Sequence, residues 1–427
     1  MAQREILSAN VGPADSLLHS RETSAFIPTN DHVKITTFVR DTRDVTPLNT
    51  GVQWGGSPTW EFSKQGDMIG EQDLIIERTA LTVATAGARP VIRFVDFAGY
   101  VAVNRMEITY AANHLQWIYP EGLYLRYRKR MSREAQLSTA QCIMADYTPL
   151  ARQRRSEQVD RWVISIPTFH SRKVNGFLPI VTLAGKIRWE LTLETLANCV
   201  QTDGTGAQTC TINTLLVRTN YYHLIARDRK KIIDMSKRPE GITYLVTEIQ
   251  RHKRETIAAN PTSPSTLQLT NIKGPVIALH WFMRAQTNVT GTQSSIIPDY
   301  FDSQGGRQWN QAVTAGKFFS CHYFDIQSQG NYVFRAMEND YNRWKYHARY
   351  YPSPAGDNIF TVNFSLDPTD EQSSLGTVNF SQLDSAKLNI YWNTLFTAPT
   401  AAQYLDVLAE VFNYINLQGG DILVLFR

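Results

Sequence analysis

Cys321 and His322 form the one place in the sequence where a thiol stands next to an imidazole, the pair of groups that a nucleophilic or metal-binding site would use. Adjacent residues of a strand point to opposite faces, so the two are expected to serve packing and not chemistry. Asp370 and Glu371 are neighbouring carboxylates of the kind that act as acid and base in glycoside hydrolysis, but a sequential pair in a turn reads as solvated. Gly305 and Gly306, between Gln304 and Arg307, make a stretch too short to cradle a phosphate and read as a turn. Glycine-rich nucleotide loops, a His-Glu-x-x-His zinc signature and a Gly-x-Ser-x-Gly elbow are missing. The sequence therefore nominates no catalytic residue, no cofactor or cofactor-binding residue and no metal ligand, and the expected role is not enzymatic.

Basic residues cluster at Arg126-Tyr-Arg-Lys-Arg130, Arg152-Gln-Arg-Arg155 and Arg227–Lys231, and Tyr124 and Tyr127 interleave with the first cluster. Such a mixture could stack bases and contact phosphates. Its rivals are a solvated helix face and a subunit contact that pairs these cations with acidic neighbours. A net charge of +4 over 427 residues is far from the dense positive field of a dedicated nucleic-acid binder, so direct nucleic-acid binding is not expected. Cys142, Cys199, Cys210 and Cys321 lack metal-type spacing and read as reduced thiols of a cytosolic setting, with a Cys199–Cys210 bridge disfavoured. Asn288-Val-Thr290, Asn363-Phe-Ser365 and Asn379-Phe-Ser381 match the glycosylation triplet. The polar stretch Met1–Asp31 reads as neither signal peptide nor membrane anchor, so the triplets are expected to be unmodified and the last two to bond within the fold.

What must position these residues is a β-built scaffold. A chain of 427 residues exceeds what one core usually organises, and two domains near 200 residues each is the natural division. Hydrophobic residues at 43% supply the cores, and 19 Tyr, 19 Phe and 9 Trp favour strands. Met106, Ile108 and Tyr110 alternate with polar residues, as do Ile187, Trp189, Leu191 and Leu193. The second half repeats the device with Phe360, Val362, Phe364 and Leu366 and with Leu388, Ile390 and Trp392. Residues 1–30 lack periodicity and read as a loosely held arm. The charged stretch Ala226–Glu240 has helical character and ends at a proline, which places the boundary near residue 230. The tail Gln403–Leu417 fits either a helix or a strand by periodicity alone.

Several collinear stretches resemble the major capsid proteins of nucleocytoplasmic large DNA viruses. They start with Phe62-Ser-Lys-Gln-Gly-Asp-Met-Ile69 and with Phe94–Ile108, in which Gly99 and Glu107 fall in register. Ala111-Ala112 and Tyr119-Pro-Glu-Gly122 depart from the family's glycine turn and helix start, as expected of a divergent member. Val163–Phe169, Phe177-Leu-Pro-Ile-Val-Thr-Leu183, the charged junction Arg227–Lys231 and Leu267–Trp281 follow in order. The most specific stretch is Gly376–Ala386, where Gly376, Asn379, Phe380, Ser381, Asp384 and Ala386 match and Gln382 replaces an arginine. Asn413 to Gly420 resembles the closing segment and favours a strand for the tail.

The resemblance implies an all-β chain of two consecutive eight-stranded antiparallel jelly rolls with short helices in the connections. An N-terminal arm would cover 1–30, the first jelly roll 31–228 and the second 229–427. It further implies a structural subunit that trimerises into pseudo-hexagonal capsomers, which build the icosahedral shell of a large dsDNA virus after synthesis in the host cytoplasm. The implied partners are the chain itself, neighbouring capsomers and minor capsid and penton proteins, with an internal membrane or host receptor as further candidates. The arm and the basic junction are expected to order on assembly. Alternative readings are a carbohydrate-binding jelly roll with exposed aromatics, a minor or penton-associated capsid component, and a glycoside hydrolase on the same scaffold.

Overall fold

Ile187, Trp189, Leu191 and Leu193 are buried while Arg188 and Glu190 between them are exposed, so this run is a strand with one face on a core. The same alternation organises the rest of the chain. The computed structural model describes residues 38–85, 92–111, 113–145, 148–171, 176–202, 205–258, 261, 264–286, 321–338, 341–352, 359–369, 375–392 and 402–424. The arm over 1–30, Gly305 and Gly306, the Asn288 triplet, and Asp370 with Glu371 lie outside the described residues.

The first half contributes β1 Phe38–Val45, β2 Thr59–Phe62, β3 Met68–Arg78, β4 Val103–Tyr110, β5 Asn113–Ile118, β6 Asp160–Ser165, β7 Ile187–Leu193 and β8 Ile212–Leu224. They form two four-stranded sheets in the orders β1-β8-β3-β6 and β2-β7-β4-β5. The second half contributes β9 Ile242–Arg251, β10 Ser265–Gln268, β11 Pro275–Ala285, β12 Cys321–Ser328, β13 Asn331–Glu338, β14 Phe360–Asn363, β15 Lys387–Trp392 and β16 Gln403–Gln418. Their orders are β9-β16-β11-β14 and β10-β15-β12-β13, with shorter strands added on β11 and β16. Subtracting eight from each label reproduces the first half. The chain thus runs through one antiparallel Greek-key connectivity twice, and each copy is an eight-stranded jelly roll. Strand pairing among the described residues stays inside each copy, while Val39–Arg427 makes one compact unit.

Helices fill the connections. Between β5 and β6 stand α1 Pro120–Arg130, α2 Arg133–Ile143 and α3 Pro149–Ser156. α1 and α3 start with a proline, whose missing N–H costs nothing in a first turn. Ser132 and Thr148 cap α2 and α3 by accepting from Ala135 N and Ala151 N. The charged junction is α4, Ala226–Ser236, and Arg229 ties it to Asp67 of the first roll at 3.1 Å. The tail is the long strand β16, as the closing-segment resemblance indicates. One expected strand is shorter than its alternation: β14 stops at Asn363, because Phe364 N and Ser365 N both turn to the Ile277 carbonyl, and Leu366 ends 83% exposed.

Trp281 marks the second core, with Phe324 edge-on at 4.4 Å and Phe360 stacked at 5.8 Å. The first core holds Trp60, Trp162 and Trp189, and it continues past its own roll to take in Phe282, Leu408, Ile415 and Ile422 of the other. That extension is the joint between the two rolls.

Candidate structural site at the joint between the rolls

The joint is made by α1 of the first roll lying on the outer face of the β9-β16-β11-β14 sheet of the second. Close approach starts at Gly122, where an added Cβ would sit 3.3 Å from Ile249 of β9. Beside it, Tyr124 meets Phe282 of β11 with ring centroids 6.2 Å apart.

At the N-terminal end of α1, Glu121 enters a socket of guanidinium groups. Arg284 Nη2 donates to Glu121 Oε1 at 2.8 Å and to Asp406 Oδ2 at 2.6 Å, and Arg284 Nε donates to the same aspartate oxygen at 2.9 Å. Arg254 bridges the same two carboxylates, through Nη2 to Glu121 at 3.1 Å and through Nε to Asp406 at 2.9 Å. Arg251 stands 3.6 Å from Glu121 and 3.5 Å from Asp406. Glu121, Arg284 and Asp406 are almost fully withdrawn from water. Burial alone would push the Asp406 carboxyl up, but Arg284, Arg254 and Arg251 outweigh it and hold it below the ordinary range. Charged forks of this kind are directional, so the set fixes an angle as well as a contact.

A second set closes the C-terminal end. Arg130 donates to Glu410 through Nη2 at 2.7 Å and Nε at 3.2 Å, and to the Pro368 carbonyl at 3.1 Å. Buried Lys129 donates to Thr361 Oγ1 at 2.7 Å and lies 4.9 Å above the Tyr351 ring. Burial holds the Lys129 amine well below its usual value, against the pull of Glu410. Burial also opposes ionisation of Glu410, yet Arg130 and His280 keep its carboxyl well below the usual range. His280 Nδ1 is 3.0 Å from Thr361 Oγ1, and burial lowers its pKa despite Glu410. His347 is pushed down to about 2, by burial first and then by Lys129 and His280.

A third contact comes from the end of the chain. Gly419 and Gly420 turn the ribbon between β16 and Asp421–Val424 with φ of 62° and 98°. Ala184 N donates to the Gly420 carbonyl at 2.8 Å, and so does the Tyr110 hydroxyl. A side chain on Gly420 would start 3.3 Å from Ala184 Cβ.

These contacts account for the first basic cluster. Arg128 lies over the rings of Phe97, Tyr124 and Tyr127, Lys129 and Arg130 enter the joint, and Arg126 lines a cleft of about 640 Å³ with Arg349, Tyr350 and Leu366. The pairing of cations with acidic neighbours, considered for a subunit contact, is present inside the chain. In the second cluster Arg152 is buried and Arg155 pairs with Asp160 at 2.8 Å; in the third, Arg227, Lys230 and Lys231 are exposed. Cys321 is buried and His322 exposed, on opposite faces of β12 as strand geometry requires. All four cysteines are free thiols. Asn379 Oδ1 accepts from Ser381 N at 3.0 Å and Asn363 Oδ1 from the Tyr351 hydroxyl at 2.8 Å, so both asparagines bond within the fold. Glu121, Arg284, Asp406 and Glu410 are isolated charges and Arg254 ends the basic run Arg251-His-Lys-Arg254, and none signals the site in the sequence, since their partners lie far along the chain.

No protein-family model matches the chain, and no curated protein sequence matches it. Solved structures do. A quasi-atomic model of the PBCV-1 virus capsid superposes with a TM-score of 0.71 at 17% identity, covering 93% of this chain and 98% of that one. The Faustovirus major capsid protein gives 0.70 at 9% identity, covering 92% and 93%. The mavirus major capsid protein gives 0.51 at 11% identity, covering 95% of each. The two rolls, their order and the path between them are therefore those of the double jelly-roll fold.

Proposed function

We propose that this chain is a major capsid protein, a divergent member of the nucleocytoplasmic large DNA virus type, which acts by assembling and not by catalysis. One observation carries the reading: two copies of a single eight-strand connectivity stand in tandem and are locked by buried ion pairs into one unit. A subunit built this way supplies two similar upright lobes. Three such subunits around a threefold axis give six lobes and a pseudo-hexagonal capsomer. The matched solved structures, described as a virus capsid and as major capsid proteins, support the same reading.

In this reading the arm covers 1–30 and the rolls cover 31–228 and 229–427. The protein is made in the host cytoplasm and resides in the virion shell, where it contacts its own copies, neighbouring capsomers, and minor and penton proteins. The test is the mass of the purified full chain by light scattering together with negative-stain images. Three-copy particles with a hexagonal outline are the expected result. A strict monomer at tens of micromolar overturns the reading.

A further inference from the structure

We infer that the joint carries an acid release: below about pH 6.5, the ordinary histidine range, His280 and His347 take up protons beside Lys129, and the rolls part at α1 while each stays folded. This goes beyond the capsid reading and stands without it.

A cluster of titratable groups, split across the joint and closed to water, carries the inference. Lys129 comes from the first roll, and His280, His347, Tyr351, Thr361 and Glu410 come from the second; none is more than 5% exposed. Lys129 Nζ donates to Thr361 Oγ1 at 2.7 Å, and His280 Nδ1 meets the same oxygen at 3.0 Å. His347 stacks on the Tyr351 ring with centroids 5.0 Å apart, and Lys129 Nζ stands 4.9 Å from the centre of that ring. Among the described residues nothing hydrogen-bonds His280 Nε2 or either ring nitrogen of His347.

Neutral imidazoles suit this setting and charged ones do not. In the pairing that uses each atom once, Thr361 Oγ1 accepts from Lys129 and gives its hydrogen to His280 Nδ1. A proton on His280 Nδ1 sets N–H against O–H at that contact, and a proton on His347 makes a buried cation with two N–H groups that lack acceptors. The charges that face the imidazoles are Lys129 and Arg130 from α1 and Glu410 from β16. Glu410 lies 3.7 Å from His280 Nε2 but already accepts from Arg130 at 2.7 and 3.2 Å. Tyr351 keeps its proton and donates it to Asn363 Oδ1, Asp367 acts on Tyr351 from an exposed position, and Lys345 and Arg349 on the His347 segment are exposed cations. A proton on either histidine is therefore an added charge beside Lys129 with no carboxylate left to balance it. Burial, then Lys129, holds both imidazoles below their ordinary value, against the pull of Glu410 on His280. The closed joint is thus at full strength above about pH 6.5 and loses it as the pH falls, because parting the rolls hydrates both rings and lets them charge. Between pH 7.5 and 5.5 each histidine multiplies the opening constant by about ten, and the two together by about a hundred.

Leu408 supplies the reporter. It pairs with His280 across the strands, is fully buried and belongs to the core that continues from the first roll, so a thiol placed there meets solvent when the rolls part. The test is site-resolved labelling of full-length Leu408→Cys with a disulfide-exchange reagent at pH 7.5 and 5.5, each rate divided by that of the unfolded chain at the same pH. Cys199 and Cys321, buried in the first and second cores, report whether each roll stays folded. The introduced thiol should label faster than both and gain about a hundredfold at the lower pH. Adding H280N/H347F should cut the gain to about tenfold or less, since phenylalanine keeps a ring on Tyr351 and asparagine keeps an acceptor for Thr361 without titrating. A gain below about threefold, or labelling only in step with Cys199 and Cys321, overturns the release, and so does a histidine-free protein that keeps the full gain. If H280N/H347F does not fold, the first two criteria decide on Leu408→Cys alone.

Discussion

Glu121→Gln is the sharpest probe of the joint, because it keeps the side-chain shape and an acceptor oxygen but removes the charge facing Arg284, Arg254 and Arg251. Removing one partner of a buried ion pair typically costs about 3–5 kcal/mol, since the other is left uncompensated in a poorly hydrated site. Asp406 still neutralises part of the socket, which places the expected loss at the lower end, about 3 kcal/mol. Unfolding entropy near 2.1 cal/mol/K per residue makes the melting slope of the unit Val39–Arg427 about 0.8 kcal/mol per degree, so the melting temperature should fall by about 4 °C. Glu121 belongs to the first roll and the three arginines to the second, so the loss weakens the coupling of the rolls more than either roll. Differential scanning calorimetry should accordingly show one transition in the parent and a broadened or split one in the variant. A melting temperature within about 1 °C of the parent and an unchanged peak shape would refute the idea that this socket couples the rolls.

Acid should destabilise the fold in two stages. His170 is buried and its pKa is pushed down to about 3 by burial, so stability is complete above pH 6.5 and declines as pH falls from 6.5 toward 3. The slope is about 1.4 kcal/mol per pH unit, or about 2 kcal/mol by pH 5, and chemical denaturation across that range measures it. His280 and His347 shift in the same direction. Below the ordinary carboxylate range, protonating Glu410 and Asp406 removes the depressed-pKa contribution as well, and a rise in stability between pH 6.5 and 5 would contradict this account. Gly241→Ala should cost about 2 kcal/mol in equilibrium unfolding, because φ is 65° and the new Cβ would press on Asn416 and the Leu417 carbonyl. In native protein a thiol reagent should modify half-buried Cys142 first and Cys199, Cys210 and Cys321 only on unfolding, and rapid labelling of all four would contradict the burial.

The strands were legible because alternation is a local signal: Met106, Ile108 and Tyr110, or Leu388 and Ile390, declare their buried face within a few residues. The junction helix was legible for a similar reason, as a charged run that stops at Pro239. The joint was not. Lys129 stands in a basic run that reads as surface, and only the packing of α1 against Thr361 and Tyr351, more than 200 residues away, shows it to be buried. Glu121 and Asp406 are single carboxylates in unremarkable sequence, brought together by the sheet order and not by spacing. The tandem repeat was hidden too, since Ile76, Leu215 and Trp162 in one roll correspond to Trp281, Val407 and Phe360 in the other. Volume is conserved across each triplet while identity is not, and that is what close packing selects.

Two faces with the same place in the repeat thus carry different chemistry. The joint between rolls forms within one chain, where tethering keeps the partners at high effective concentration, and its ion pairs stand beside the apolar contacts of Phe282, Leu408, Ile415 and Ile422. The ion pairs add little net stability against a hydrophobic alternative but tolerate no sliding. A contact between copies has to offset the loss of translational and rotational freedom, and apolar burial is the term that does so. His280 and Thr361 on the second roll's joint face stand where the first roll has Ile75 and Val163, and Ile75 is as fully buried as His280. The directional ion pairs of the joint thus set the angle between the lobes, and the apolar contacts beside them hold it.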